Sequence, residues 1–248
     1  MRRAQDIVGN RLLKALAPRE RHLLSKNLEA VMLEKGTVLF EPGEDVISIC
    51  FPGPGTVASL ILNLRDGATA EAALIGQEGA VGGIISGGDK PAFTRGVVQI
   101  GGPAMRLATD VLEKAKLRSP TLRDHFARYA DCLLAQTLQS VACNAIHDLD
   151  ARLARWLLTL QDRIGGDDLH LTQEFIAEML GVQRTYVTRV TGSLEKTGAI
   201  RRSRGTLTVV NRGKLERQAC ECYAFLRRHF ERVLPGVYPD ARAPTKNA

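Results

Sequence analysis

The sequence lacks any long uninterrupted hydrophobic run. No stretch approaches the roughly 18 consecutive apolar residues that a membrane-spanning helix requires. The basic segment at residues 1–21 is interrupted by charge throughout, and it has neither the continuous apolar stretch nor the small-residue cleavage site of a secretory signal. We therefore expect a cytoplasmic protein that makes no membrane contact.

Cysteine is scarce, and its spacing argues against the usual cysteine sites. The sequence has 5 cysteines in 248 residues, and no C-x-x-C pair occurs, so neither a disulfide framework nor a zinc knuckle is expected. Cys220 and Cys222 fall in a segment, about 212–233, that is predicted to be helical. Side chains at i and i+2 of a helix point apart. Buried, reduced, structural thiols are the preferred interpretation.

Glycine is abundant before residue 109 and absent from 109–164. From about 31 to 108, short Val, Ile and Leu runs alternate with Gly and Pro turns, which is typical of an all-β sandwich or barrel and here indicates one small jelly roll. An amphipathic helix punctuated by Pro18 is predicted before it, at about 7–29.

The glycine-free part of the sequence predicts helices. A short helix is expected at 110–117, and Ser119-Pro120 then supplies an N-cap and a first-turn proline for a long helix at 121–147. Twenty-seven helical residues extend roughly 40 Å. Such a helix packs either against its own domain or against its copy in a dimer, and we favour the dimer.

The last hundred residues predict helices around a short strand pair. Helices are expected at 149–164, 172–180, 183–197 and about 212–233, with two strands around Arg204-Gly205. Trp156, the only tryptophan, is interpreted as a core anchor. The predicted fold is therefore α+β: an N-terminal jelly-roll β-barrel, a long connecting dimerisation helix and a C-terminal winged helix-turn-helix. The predicted divisions are 1–108, 109–148, 149–233 and a tail at 234–248.

The segment LTQEFIAEMLGVQRTYVTRVTGSLEK at 171–196 has the spacing of a helix-turn-helix. Thr172 is a suitable N-cap, Ala177 provides a small residue where the helices cross, and Gly181 permits the positive φ that the turn requires. A generic helical corner is the alternative. The second helix opens with an outward row that carries no acidic residue before Glu195, namely Gln183, Arg184, Thr185, Tyr186, Thr188 and Arg189.

Positive charge concentrates in this same region. The chain has 34 Lys and Arg against 27 Asp and Glu, a net charge of +7, and residues 183–214 contain eight basic side chains and one acidic one. Arg201, Arg202 and Arg204 lie in the strand pair, where they would contact phosphates as a wing. Arg184 and Arg189 are the candidates for base contact, because guanidinium groups bond bidentately to guanine, and phosphate contact is the alternative for each. Double-stranded DNA is the predicted partner.

The order of leading helix, Gly-rich β-roll, long helix and winged helix-turn-helix resembles the Crp/Fnr family of bacterial transcription regulators. The strongest matches are LTQEFIAEMLGVQRTYVTRVTGSLE and the β-roll opening KGTVLFEPGE. The resemblance implies a homodimer joined through helix 121–147, recognition helices in major grooves about 34–36 Å apart, and a roughly palindromic site. It also implies contact with RNA polymerase.

The sequence departs from the family at its effector signatures. Members that bind cyclic nucleotides have a Gly-Glu pair and an arginine about ten residues later. Here the best register places Gly82-Gly83 at that pair and Phe93 at the arginine, with Arg95 nearby. Gly82, Gly83 and Arg95 are therefore the effector-site candidates, but no cofactor is expected and cyclic nucleotide would not bind in the usual mode.

The other signatures of the family also differ. The iron–sulfur members have an N-terminal cysteine cluster, whereas no cysteine precedes Cys50 here. Many members have glutamate in the recognition helix where Thr185 stands, so the DNA consensus should differ.

The competing hypothesis is a cupin-like enzyme or metal-binding β-roll with a regulatory C-terminal domain. Such a site needs His and Glu ligands that converge from neighbouring strands. Residues 31–108 contain no histidine, and the sequence shows no Ser-His-Asp constellation or phosphate loop. We therefore predict a regulator without catalytic activity.

Overall fold

The computed structural model describes residues 9–65, 69–84 and 89–239. Its helices are α1 (Arg11–Lys14), α2 (Pro18–Ser25), α3 (Thr109–Arg118), α4 (Pro120–Ile146), α5 (Leu149–Ile164), α6 (Gln173–Leu180), α7 (Arg184–Lys196), α8 (Arg212–Gln218) and α9 (Cys222–Val233). Its strands are β1 (Glu29–Leu33), β2 (Val38–Phe40), β3 (Ser48–Pro52), β4 (Val57–Asn63), β5 (Thr69–Ile75), β6 (Arg95–Ile100), β7 (Gly102–Ala108), β8 (Asp168–Leu169), β9 (Ile200–Ser203) and β10 (Thr206–Val209).

The N-terminal segment forms two short helices rather than the single helix predicted at about 7–29. Residues 7 and 8 of that prediction lie outside the described residues. Ala17 is extended, with φ −62° and ψ 157°, and Pro18 begins α2. Proline has no N–H and disfavours helical backbone in the residue before it, so it ends one helix and starts the next. The predicted helix also extended too far, because β1 already begins at Glu29.

Seven strands form the predicted jelly roll as two antiparallel sheets. One sheet has the order β1-β7-β3 and the other β2-β6-β4-β5. In the first sheet, Ile49 of β3 lies opposite Leu107 of β7, and both are fully buried. From Met105 to Ala108, β7 alternates between buried and exposed residues, whereas β3 is buried from Ile49 to Pro52.

Helix α4 has two halves with different surroundings. Ser119 caps it by accepting from the Leu122 N–H, and Pro120 occupies the first turn, as predicted. Leu122, Phe126 and Tyr129 in the first half are buried against the β-roll. The second half leaves a row of apolar side chains 57–78% exposed, comprising Leu134, Leu138, Val141 and Ile146.

Helix α5 lies at the centre of the C-terminal domain, and its bounds agree with the prediction. Gly165 ends this helix with φ +72°. Trp156 is 3% exposed and packs in the domain core, which confirms its structural role. Strands β8, β10 and β9 form a small antiparallel sheet beside α7.

The C-terminal helical segment is broken, whereas the sequence predicted one helix from about 212 to 233. Helix α8 ends at Gln218, and α9 begins at Cys222. No glycine or proline marks this break. In the predicted tail, Leu234, Val237 and Tyr238 are buried with Phe230, whereas residues 235 and 236 are exposed. Residues 240–248 lie outside the described part of the chain.

Two sets of contacts attach the C-terminal domain to the β-roll. Arg163 of α5 forms a fully buried ion pair with Glu78, which lies in the loop after β5. The Trp156 indole donates to Glu71 Oε1 of β5 at 2.9 Å. Burial raises the pKa of the Glu71 carboxyl, although hydrogen bonds from Ser59 and Trp156 oppose the shift.

Helix α6 also rests on strand β5. Thr69 Oγ1 donates to Glu178 Oε1 at 3.4 Å, and Gln99 Nε2 of β6 lies 3.7 Å from Met179 Sδ. The first helix of the helix-turn-helix is therefore in contact with the sheet edge. Within the described residues, none of the helices is both long enough and apolar enough to span a lipid bilayer.

Candidate nucleic-acid interface

Helices α6 and α7 form the predicted helix-turn-helix. Thr172 Oγ1 accepts from the Phe175 N–H at 3.2 Å and caps α6. Gly181 ends α6 with φ +63°, the left-handed backbone that its position predicted. Ala177 is 7% exposed at the crossing, and Val187 and Val190 of α7 point into the core.

The outward row of α7 is exposed as the sequence predicted. The side chains concerned are Gln183, Arg184, Thr185, Tyr186, Thr188 and Arg189. They share one surface at the N-terminal end of α7, where unpaired backbone N–H groups and the helix dipole favour an anion. The row therefore presents donors and cations together.

Several members of this row have partners in the free protein. Arg184 Nη1 pairs with Glu174 Oε1 at 2.8 Å, and Thr188 Oγ1 donates to Gln173 Oε1 at 2.6 Å. The Arg189 guanidinium lies 5.2 Å from the centre of the Tyr186 ring, within cation–π range. The Arg184 pair is about 60% exposed on both sides, so it contributes little stability and is easily exchanged for another anion.

The predicted wing is the hairpin β9–β10, turned at Gly205 with φ +72°. Arg201 and Arg204 are exposed on it. Arg202 has an additional partner on this surface: its Nη2 pairs with Glu195 Oε2 at 2.7 Å, and its backbone N–H donates to Glu195 Oε1 at 2.8 Å. These bonds lower the pKa of Glu195. Arg202 therefore attaches the wing to α7.

Arg212, one of the eight basic residues in the 183–214 window, does not lie on the interface surface. It is 8% exposed and pairs with Asp162 Oδ1 at 2.9 Å. Gln161 Oε1 accepts another of its hydrogen bonds at 2.7 Å. Charge counting over 183–214 thus overstated the positive surface, because Arg212 and Arg184 pair with Asp162 and Glu174, two carboxylates that lie outside that window.

The β-roll contains a cavity of about 250 Å³ next to the effector-site candidates. Gly82 and Gly83 line it, whereas Arg95 lies outside its lining. The Nε atom of Arg95 is 3.1 Å from Glu41 Oε1 in an ion pair. Gly82 has φ +78°, which agrees with a turn. The other lining residues are largely apolar and include Phe40, Val46, Leu60, Ile84 and Leu133.

The structure contradicts the prediction that Cys220 and Cys222 point apart. Their segment breaks between α8 and α9, and the two thiols meet Cys143 and His147 from the end of α4. The four potential ligand atoms lie within 4.8 Å of one another. Sequence analysis missed this group because no turn residue marks the break. The available signal was the i, i+4 spacing of Cys143 and His147.

Comparison with known proteins identifies the C-terminal domain. The family model described as a Crp-like helix-turn-helix domain matches residues 151–218. The global nitrogen regulator of Synechococcus elongatus is 26% identical over 201 residues, which cover 77% of this chain and 90% of that protein.

Solved structures share the fold over about three quarters of this chain. FixK2 from Bradyrhizobium japonicum superposes with a TM-score of 0.67 at 17% identity, over 78% of this chain and 98% of that one. A transcriptional regulator of the CRP/FNR family from Thermus thermophilus gives 0.61 at 20% identity, over 77% and 98% of the two chains. At these identities the likeness concerns the fold alone.

Proposed function

We propose that this chain, which is a DNA-binding transcription regulator of the Crp/Fnr family, acts as a homodimer on a roughly palindromic site, with α7 in the major groove. The observation that carries the proposal is the exposed row at the start of α7. It joins two arginines to polar donors at a helix N-terminus, and no acidic residue interrupts it. Major-groove reading by a helix-turn-helix uses this end of the second helix.

We assign the interface residues to two roles. Arg184 and Arg189 contact base edges, supported by Gln183, Thr185, Tyr186 and Thr188. Arg201 and Arg204 of the wing contact phosphates, and the N-terminus of α6 at Thr172 approaches the backbone. Arg202 has a mixed role, because it holds the wing against Glu195 and adds a partly exposed cation beside the duplex.

The exposed row of α4 supports the dimer. Leu134, Leu138 and Val141 recur at intervals of four and three residues, the spacing of a helix–helix seam. Isolated exposed leucines are ordinary, but a contiguous apolar row on a 27-residue helix marks an interaction surface. A second copy of α4 covers the row and sets two α7 helices about one DNA turn apart.

The lining of the β-roll cavity indicates the polarity and charge that an effector would need. Its lining is mainly apolar, and the cation in it, Lys90, is paired with Asp110. Arg95 is occupied by Glu41, so the cavity suits a small, largely uncharged molecule. An anionic cyclic nucleotide in the usual mode is therefore not proposed. Contact with RNA polymerase and a cytoplasmic location follow from the proposed role as a transcription regulator. The cupin-like alternative is not favoured, because the relatives that match are regulators.

Selection from a random duplex library tests the proposal. The purified protein is expected to enrich an inverted repeat with half-site centres about 10 base pairs apart, and to lose affinity steeply as salt rises. Enrichment of a single asymmetric half-site would contradict the dimeric mode. Recovery of no consensus at all would contradict sequence-specific binding.

A further inference from the structure

We propose that Cys143, His147, Cys220 and Cys222 bind one zinc-class metal ion, which ties the end of α4 to the turn between α8 and α9. This Cys₃His group lies outside the DNA interface and outside the β-roll cavity. The inference does not depend on the proposed function.

The distances among the ligand atoms suit a single ion. The Sγ atoms of Cys143 and Cys220 are 3.5 Å apart, and Cys222 Sγ lies 3.6 Å from His147 Nδ1. Tetrahedral zinc, with Zn–S bonds of about 2.3 Å and Zn–N bonds of about 2.0 Å, separates its ligand atoms by about 3.5–3.8 Å. No separation in the group exceeds 4.8 Å, so the ligand atoms need to approach one another by at most about 1 Å. Iron–sulfur clusters place several atoms between their cysteine sulfurs, so this group is too compact for one.

The histidine is oriented as a ligand. Its Nε2 atom lies 3.3 Å from Glu221 Oε2, while Nδ1 faces the thiols. A carboxylate that accepts from one ring nitrogen leaves the other free to bind metal, and this arrangement accompanies most metal-binding histidines. Glu221 is therefore a positioning residue for His147.

The surroundings supply the rest of a metal site. Cys143, Cys220 and Cys222 are 0%, 8% and 2% exposed, and Gln139 Nε2 donates to Cys222 Sγ at 3.0 Å. Three thiolates and zinc leave a net charge of −1, and Arg155 of α5 interacts electrostatically with Cys143. A surface cavity of about 660 Å³, lined by Cys220 and Glu221, gives an ion a path from solvent.

The metal would act as a clamp between segments far apart in sequence. Cys143 and His147 are four residues apart at the end of α4, whereas Cys220 and Cys222 follow α8 of the C-terminal domain. Binding that requires the folded arrangement stabilises it, so heat resistance should increase with metal concentration.

The test uses the full-length protein, reduced and stripped of metal, with Co²⁺ and Zn²⁺ as probes. We expect one Co²⁺ per chain, with the visible absorption of tetrahedral thiolate coordination, and displacement by one equivalent of Zn²⁺. Cys143→Ala and Cys220→Ala should abolish the absorption, and Glu221→Gln should weaken metal affinity about 10- to 100-fold. Cys50→Ala, which removes a buried thiol in β3, is the matched control and should bind normally.

The substitution His147→Asn gives a second measurement if a cysteine variant does not fold, because this side chain is about one-fifth exposed. It should leave the fold intact and change the Co²⁺ spectrum. Absence of the tetrahedral Co²⁺ absorption in folded, reduced protein would overturn the proposal. Unchanged binding in Cys143→Ala and Cys220→Ala would overturn it equally, whatever the result of the DNA selection.

Discussion

Glu78 and Arg163 join the β-roll to the C-terminal domain through an ion pair that no solvent reaches. Arg163 Nε donates to Glu78 Oε1 at 2.8 Å, and the two side chains are 0% and 2% exposed. The Arg163 guanidinium also donates to the Thr159 carbonyl and to Gln136 Oε1, at 3.0 and 3.1 Å. Gln136 of α4, Thr159 of α5 and Glu78 of the β-roll therefore all accept hydrogen bonds from one guanidinium.

Removing either charge of this pair should destabilise the protein strongly. We expect Glu78→Gln or Arg163→Met to lower the free energy of unfolding by about 3–5 kcal/mol, because the remaining charge is buried without its partner. The double variant Glu78→Gln/Arg163→Met should lose less than the sum of the two single variants. Urea denaturation measures all three. Glu29→Gln, which breaks the exposed pair with Arg106, should change stability by at most about 1 kcal/mol. Strict additivity of the two single changes would contradict the coupling.

Arg189 and Arg204 should affect DNA binding in different ways. Arg189→Ala is expected to remove about 1–3 kcal/mol of discrimination at one base pair of each half-site and so relax the consensus. Arg204→Ala should instead weaken all sequences to a similar degree and reduce the salt dependence. Fluorescence anisotropy on a set of single-base variants distinguishes these effects. Arg106→Ala, on the β-roll, is the charge-matched control. Similar losses of discrimination from both substitutions would refute the division of roles.

Introducing a charge into the exposed row of α4 should dissociate the dimer. Leu138→Asp places a carboxylate where two copies would meet, and light scattering should then give a monomer mass. Affinity for a full palindrome should fall, while affinity for an isolated half-site should remain. Leu117→Asp is the matched control, because Leu117 of α3 is 86% exposed and lies off this row. A dimer that persists in Leu138→Asp would remove α4 as the interface.

Glu71 should make stability depend on pH. Its folded-state pKa is raised, first by burial, so the folded protein holds the proton more tightly than the unfolded chain. Stability from this group is therefore present below the ordinary carboxyl pKa and is lost as pH rises through the raised one. The gap in unfolding free energy between Glu71→Gln and the unsubstituted protein should widen in favour of Gln across that range. Denaturation followed by the fluorescence of Trp156 measures this gap, and a gap that does not vary with pH would contradict the expectation.

Local patterns predicted most elements of this fold. The cap at Ser119-Pro120, the end of α5 at Gly165 and the turn at Gly181 each follow from the chemistry of one or two residues, and the structure has all three. Pro18 was also recognised as a local signal, but it was placed inside one helix, whereas it marks the boundary between two helices. Local propensity was sufficient wherever a single backbone requirement decided the structure.

The sequence alone did not predict which distant side chains pair in the folded protein. Glu195 was visible as the one acidic residue of a basic window, but its partner Arg202 becomes evident only when the wing folds back onto α7. Arg212 looked like a surface cation until Asp162 was found beside it. The break between α8 and α9 has no local signal, and it decides where Cys220 lies.

The contact between β5 and α6 links the β-roll directly to the helix-turn-helix. Thr69 of β5 touches Glu178 across it, and Gln99 of β6 in the same sheet lies against Met179. The sheet that borders the β-roll cavity therefore also packs against α6, the helix that contacts α7. A displacement of β5 would therefore act on α6, and through it on α7, within one chain and without passing along α4.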